Sequence, residues 1–552
     1  MNKYTILFVL YLVVSCKPIK LHQPITSPTE IQQSTDKKDL KNWHFKDIEL
    51  DTIPGISLTR AYDSLLITKK SRQVIVAVID TEIDIKHKNL KSNFWINDDE
   101  VPNNGKDDDN NGYVDDIQGW NFIGNLDGYN IIYSNYECVR IIQKFKDEFK
   151  GKEKEDISVS RWADYELYIA AQKDHAAKIK AAQSNYKYVE FLRTGYPAAI
   201  KALKEIYPKE DYSISDLDSL YNLYKESDKT FAKHAYFLAD WTKYDMSVNW
   251  VNNYQNQLDS IRLKTNNIEY VDRLKIDSYP EDITYKNYGT PVINNNSEAL
   301  YHGTKIAGLI LKTVTPSDKA LKSKLRLMPI PISSNGDEHD KDIALAIRYA
   351  VDNGAHIINM SLGKDFSLHE DWVLDAINFA ALNDVLIVTS SGNAAVDLNE
   401  TDNRTFPNDY GNEEGEISDN FLMVGSSSQK IGKSFLSYFS NYGNRHVDLF
   451  APGEDVFTTL PNNEYDFDSG TSLSTAITSG VAALIRSYYP DLTASQVKHI
   501  LMDSGIEYTI PVATPTADDP DKMTPFNELS KSGKILNAYN ALIMADKISS
   551  EN

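Results

Sequence analysis

Five stretches of the chain are almost continuously apolar over strand length: VIVAVI (74–79), LRLMPIPI (325–332), HIINM (356–360), VLIVTS (385–390) and FLMVG (421–425). A strand without hydrophobic–polar alternation is one covered on both faces, as in a parallel sheet. Between these runs lie HGTKIAGLILKTV, DIALAIRYAVDNG and HEDWVLDAINFAALND, whose apolar residues recur at helical spacing. Two of them close on Asn-Gly or Asn-Asp, which suits a helix C-terminus. Strands alternating with helices of this length predict an α/β fold built on a doubly wound, mostly parallel sheet. Sites in such sheets lie at the carboxyl ends of the strands.

Residues 130–284 carry a different pattern. They are rich in Lys, Glu, Tyr and Ala and nearly free of Gly, and ADYELYIAAQKDHAAKIKAAQSNYKYVEFL repeats aromatic and aliphatic residues at helical spacing. The expectation is an inserted α-helical subdomain whose aromatic stripe forms its own core. The layout is then a leader at 1–16, a flexible polar tether at 17–42, an α/β domain at 43–129 and 285–548, and the helical insertion at 130–284.

The leader MNKYTILFVLYLVVSC has one Lys, then an apolar run too short to span a bilayer. It reads as a signal peptide. Its Val-Val-Ser-Cys ending resembles the bacterial lipobox, which implies lipidation of Cys16; an ordinary signal peptide is the alternative. The expected localisation is exported and membrane-anchored through Cys16. The second cysteine, Cys138, reads as a buried small apolar residue. A formal net charge of −21 argues against a nucleic-acid partner.

The chemistry centres on SGTSLSTAITSG (469–480). Alone, these hydroxyls are ordinary helix caps. Three other polar residues stand in matching places. Asp80 follows the first strand in VIVAVIDTEID, His302 opens a helix in YHGTKIAG, and Asn393 follows a strand in VTSSGNA. Ser472 opens the last long helix. The order Asp, His, Ser is that of the subtilisin type of triad.

With AVIDTEID, HGTKIAG, SSGN and GTSLSTA in place, the chain resembles the subtilisin-like serine peptidases, the subtilases, over about 43–128 and 285–545. AIRYAVDNGAHIINMSLG, YFSNYG, VDLFAPG and YYPDLTASQVKHILMDSG belong to the same resemblance. It implies Ser472 as nucleophile, His302 as general base and Asp80 as its orienting partner. Asn393 and the Ser472 N–H would form the oxyanion hole. Ser361, Leu362 and Gly363 would pair with an extended peptide, with Gly392 keeping the backbone close to substrate. Thr471 and Ser474 are left as caps or packing residues. Three departures stand out: Glu82 where the family has Gly, Lys305 where it has a second His, and Ala476 where it has Pro. Glu82 and Lys305 are expected to pair electrostatically.

NGKDDDNNGYVDD (104–116) offers Asp107, Asp109, Asn111, the Tyr113 carbonyl and Asp115 at calcium-loop spacing, with Gly112 at the turn. Position twelve is Gln118 rather than a bidentate Glu, and a solvated acidic turn is the alternative. No organic cofactor is implied; calcium is the one expected ion. Expected partners are protein or peptide substrates and the membrane, with the insertion as a surface for a protein partner. The competing functional reading is a catalytically silent binding lipoprotein on the same scaffold.

Overall fold

In the computed structural model, residues 23–26, 37–66, 69–315, 324–410 and 415–551 are described. The leader and Cys16 lie outside them. Two pieces of the expected tether fall inside, and one is not free: Ile25 is buried and exchanges two hydrogen bonds with the Asn540 side chain.

The apolar runs form the strands β1 (Val74–Asp80), β2 (Leu325–Pro331), β3 (Ile357–Met360), β4 (Leu386–Ser390), β5 (Phe421–Ser427) and β6 (Leu449–Pro452). They pair in parallel in the order β2-β1-β3-β4-β5-β6. β7 (Val456–Leu460) and β8 (Glu464–Asp468) make a separate hairpin. The short strands β9 (Ile506–Glu507) and β12 (Lys534–Ile535) extend the far edge of the main sheet. β10 (Pro511–Ala513) and β11 (Met523–Pro525) form a small ribbon. The doubly wound α/β architecture is thus present, with eight strands in the main sheet among the described residues. The chain passes from β1 to β2 on one side and then crosses to β3 on the other. This reversal of winding marks the carboxyl ends of β1 and β3 as the place for a site.

Among the helices, α1 (Leu58–Ser64) precedes the sheet, and α2 (Glu137–Phe149), α3 (Trp162–Ile206), α4 (Ile214–Tyr224), α5 (Lys229–Lys243) and α6 (Val248–Ser260) fill the long segment after β1. The sheet is covered by α7 (Tyr301–Val314), α8 (Asp340–Asp352), α9 (Glu370–Leu382), α10 (Thr471–Tyr488), α11 (Ala494–Asp503) and α12 (Ala538–Glu551). Every residue of α10 is buried, although six of its first nine are Ser or Thr. Buried hydroxyls need acceptors. Ser474 donates to the Ala451 carbonyl, Thr475 to Thr471, Thr478 to Ser474 and Ser479 to Asn359 Oδ1.

The helical segment packs mainly in small clusters of its own, with Ile283 near its end reaching the main core. α3 runs 45 residues, about 68 Å at 1.5 Å per residue. It threads three small apolar clusters: Tyr165, Tyr168 and Ala171 pack with α2 at its start, Val189 and Leu192 with Trp241 and Leu258 further along, and Ala199 and Leu203 with α4 and α5 at its end. Between Ala171 and Val189 no residue of α3 is buried.

The segment joins the α/β body through buried charges. The Arg273 guanidinium makes two 2.7 Å bonds to the Asp342 carboxylate. Lys341 Nζ lies 2.8 Å from Asp277. Lys364 Nζ lies 2.7 Å from Asp340 and 3.3 Å from Glu137, and Glu137 also pairs with Arg140. All eight side chains are buried. Among the described residues, no helix is long and apolar enough to cross a membrane.

Candidate active site

Asp80 ends β1, with its backbone carbonyl accepting from the Ile332 and Ser333 N–H groups that follow β2. Its buried Oδ1 lies 2.7 Å from His302 Nδ1 and also accepts from the Thr81 N–H. Oδ2 is buried without a partner among the described residues. His302 occupies the first turn of α7 with 38% of its side chain exposed. Burial works to lower its pKa, but the charge and hydrogen bond of Asp80 outweigh that, and the net shift is upward.

Ser472 is the second residue of α10 and is buried, with 9% of its surface exposed. Its hydroxyl donates to the Ser361 carbonyl at 3.2 Å, and the Ser361 hydroxyl donates back to the Ser472 carbonyl at 3.0 Å. Nucleophile candidate and substrate-strand candidate are therefore locked together, with the Ser472 hydroxyl proton directed at the Ser361 carbonyl.

Asn393 lies just beyond β4. Its Oδ1 accepts from both the N–H and the hydroxyl of Thr471, at 2.9 Å each. That leaves its Nδ2 without a partner among the described residues. The position a Cβ on Gly470 would take is 3.8 Å from Asn393 Nδ2 and 3.9 Å from the Ser472 nitrogen, so the two N–H donors border one small space. Thr471 is thus a cap in reverse: it holds Asn393.

Gly392 has a φ of +98°, which favours glycine, and a Cβ there would stand 2.6 Å from Asn441 Nδ2. Asn441, in YFSNYG, is a positioning residue that pattern reading passed over. Its Oδ1 accepts from Ala394 and Val396, and its Nδ2 donates to the Ser391 carbonyl, clamping the loop that carries Asn393. The Leu362 carbonyl is taken by the Ser390 hydroxyl. Gly363 has no backbone partner among the described residues, while its neighbour Lys364 pairs with Phe406.

The expected Glu82–Lys305 pair is absent. Lys305 Nζ lies 2.5 Å from Asp468 on β8, whereas Glu82 is fully buried among asparagines.

The acidic loop gathers a different carboxylate set from the one its spacing suggests. Asp107 accepts from the Asn111 and Gly112 N–H groups, and Asp115 from those of Asn104 and Gly105. Tyr113 packs its ring against Trp120 and Tyr349. The carboxylates that converge are Glu100, Asp109 and Asp116, with oxygens within 4.8 Å of one another. Asn97 and Asn111 each donate to both Asp109 and Asp116. Burial raises the Asp116 pKa to about 6. Glu100 is buried, one oxygen accepts from the Asp108 and Asp109 N–H groups, and the other, Oε2, has no partner among the described residues. Two buried carboxylates and a half-buried one this close, one with an orphaned oxygen, suit a hard oxygen-preferring cation.

A profile of the subtilase family matches residues 71–522. The chain is 34% identical over 194 residues to the major intracellular serine protease of Bacillus subtilis, which covers 34% of this chain and 55% of that protein. It is 31% identical over 268 residues to the thermophilic serine proteinase of a Bacillus species (strain AK1), covering 48% and 55%. The chain spans about half the length of these curated relatives. The solved protease domain of PatA, a mutant form, is 26% identical, covers 45% of this chain and 82% of its own, and superposes with a TM-score of 0.34.

Proposed function

The chain belongs to the subtilase family, and from that premise we propose that it is a serine endopeptidase cutting proteins or peptides through an acyl-enzyme. The observation that carries this reading is the 2.7 Å Asp80–His302 bond where β1 meets α7, beside β3, whose following residue Ser361 is bonded to Ser472.

In the proposed reaction, His302 Nε2 takes the Ser472 hydroxyl proton as Oγ attacks the scissile carbonyl. The imidazolium that forms is stabilised by Asp80, which also fixes the proton on Nδ1. Negative charge on the tetrahedral oxygen falls between Asn393 Nδ2 and the Ser472 N–H, at the positive end of α10. His302 then gives its proton to the leaving amine, and water, deprotonated by the same imidazole, releases the acyl group. An extended substrate would lie along 361–363, where Gly363 has both backbone groups available. Before attack, the Ser472 hydroxyl must leave the Ser361 carbonyl for His302, and substrate docking on that strand is the natural trigger. Because the His302 pKa is raised, kcat/KM should climb with pH through a midpoint above the ordinary 6.5, as the imidazole becomes a free base.

We also propose that Glu100, Asp109 and Asp116 hold a calcium ion, whose role would be to fix the loop between β1 and the helical segment. The chain is further proposed to be exported and lipid-anchored at Cys16, which its first sixteen residues alone support.

The competing reading, a silent binding protein, draws on the orientation of Ser472 toward Ser361. A fluorophosphonate probe separates the two. Covalent labelling of the wild type and none of Ser472→Ala is the expected result. A folded wild type that stays unlabelled would remove the peptidase reading.

A further inference from the structure

Glu82 is the residue by which this chain departs from its family beside the orienting Asp. It sits two positions after Asp80, fully buried, and the groups that bond its carboxylate are all donors. Asn130 and Asn121 each donate a side-chain amide to Oε1, and the Asn296 N–H donates to Oε2 at 2.7 Å, with the Asn295 N–H also directed at it. Burial raises the Glu82 pKa and outweighs these donors, yet a carboxylate whose partners all donate has every bond satisfied in its ionised form.

These partners come from two places. Asn121 lies before the helical segment and Asn130 opens it; Asn295 and Asn296 lie after it. The two ends are already paired, Asn121 with Thr290 through both backbone hydrogen bonds, and Asn121 Nδ2 reaches across to the Val292 carbonyl. Asn296 in turn caps the short helical turn at Ser297–Ala299 that runs directly into α7. Four residues separate it from Tyr301, and His302 is next. The start of α7 is also pressed onto the backbone of Glu82: a Cβ on Gly303 would come within 2.6 Å of the Thr81 carbonyl and 2.8 Å of that of Glu82, and the Gly303 N–H donates to the Thr81 hydroxyl.

We propose that Glu82 is a positioning residue: its carboxylate clamps the two ends of the helical segment together and so fixes the start of α7, and with it His302, against Asp80. The family's usual glycine cannot do this. The proposal rests on the Asp80–His302–Ser472 reading above. In this chain the segment's neck and the general base share one buried anchor.

The test compares wild type, Glu82→Gln and Asn130→Ala in the full chain. Glutamine keeps the shape but turns an amide N–H₂ toward donors, so it breaks the clamp without opening a cavity. Asn130→Ala removes one peripheral donor. On a peptide substrate, Glu82→Gln is expected to lower kcat about a hundredfold while KM changes little, as a small misplacement of a catalytic group does. The acidic limb of the pH profile should move to lower pH, because a loosened Asp80 no longer raises His302. Asn130→Ala should move both in the same direction by less. A folded Glu82→Gln with unchanged kcat and an unchanged acidic limb overturns the proposal. A second readout does not need activity. In a Ser472→Ala background, Glu82→Gln should speed amide hydrogen exchange across 290–302 while leaving α4 and α5 unchanged. Unaltered exchange there overturns the clamp even if the peptidase reading stands; an unlabelled wild type removes the peptidase reading while the exchange result still decides the clamp.

Discussion

The α/β body and the helical segment hold their residues in place by opposite means. In the body, one continuous apolar core spans the sheet and its covering helices, so Asp80, His302, Asn393 and Ser472 project from strand ends and helix starts that cannot shift separately. Along the segment, three small clusters are strung on one long helix, and the attachment is a group of buried ion pairs. A contiguous core gives up about 1 kcal/mol for each methylene lost, because each contact is one of many. A buried ion pair gives up more, since removing one partner strands the other charge. The body should therefore lose function by losing single polar groups at its rim, and the segment should lose its place by losing single charges at its neck.

The largest effect belongs to the rim. Ser472→Ala should lower turnover about a millionfold with folding intact, a magnitude known from subtilisin rather than read from this geometry, and active-site titration beside a thermal melt checks both halves. At the neck, Arg273→Met leaves the buried Asp342 with Tyr288 as its remaining close donor, and should cost about 3–5 kcal/mol in a urea melt. A loss below about 1 kcal/mol would break the comparison, because the neck would then behave like a surface. Asn393→Ala should reduce kcat about a hundredfold or more at nearly constant KM, again the scale known from subtilisin.

Cation binding should be smaller and set by pH. Burial holds the cation-free Asp116 carboxyl up at about 6, and a cation favours its ionised form, so calcium should bind more tightly as pH rises through that value and release a proton below it. Calorimetry in two buffers of different ionisation heat reads that proton, and Glu100→Gln should abolish the heat. The smallest effect belongs on the segment's far surface. Phe191, 57% exposed, should tolerate change to Ser within about 0.5 kcal/mol and with unchanged peptide turnover. If protein cleavage falls while peptide cleavage holds, the segment gains a role in substrate capture.

Much of this was legible in the chain. The buried strands announce themselves because both faces are covered, leaving no polar alternation. The four site residues announce themselves because each sits where a strand or helix changes to loop. The neck was not legible: Glu137, Arg140, Arg273, Lys341 and Lys364 look like solvated charges until the fold brings residues more than sixty positions apart to one another. Spacing within the acidic loop favours Asp107 and Asp115, yet backbone N–H groups absorb both, and Glu100 comes from outside the repeat. Lys305 and Glu82 are neighbours of His302 and Asp80 along the chain, but they leave the β1–α7 junction toward a hairpin on one side and the segment's neck on the other.

The hydroxyls of α10 fix more than stability. Thr475 and Thr478 bond back to their own helix and would do so at any rotation about its axis. Ser474 and Ser479 instead reach outward, one to β6 and one to β3. Turning the helix by one residue would orphan both, at about 1–3 kcal/mol each. A purely methyl-packed helix could settle into neighbouring azimuths at little penalty. Two serines facing two strands index this one like a keyed shaft, and the angle they select is the angle at which Ser472 meets the cleft.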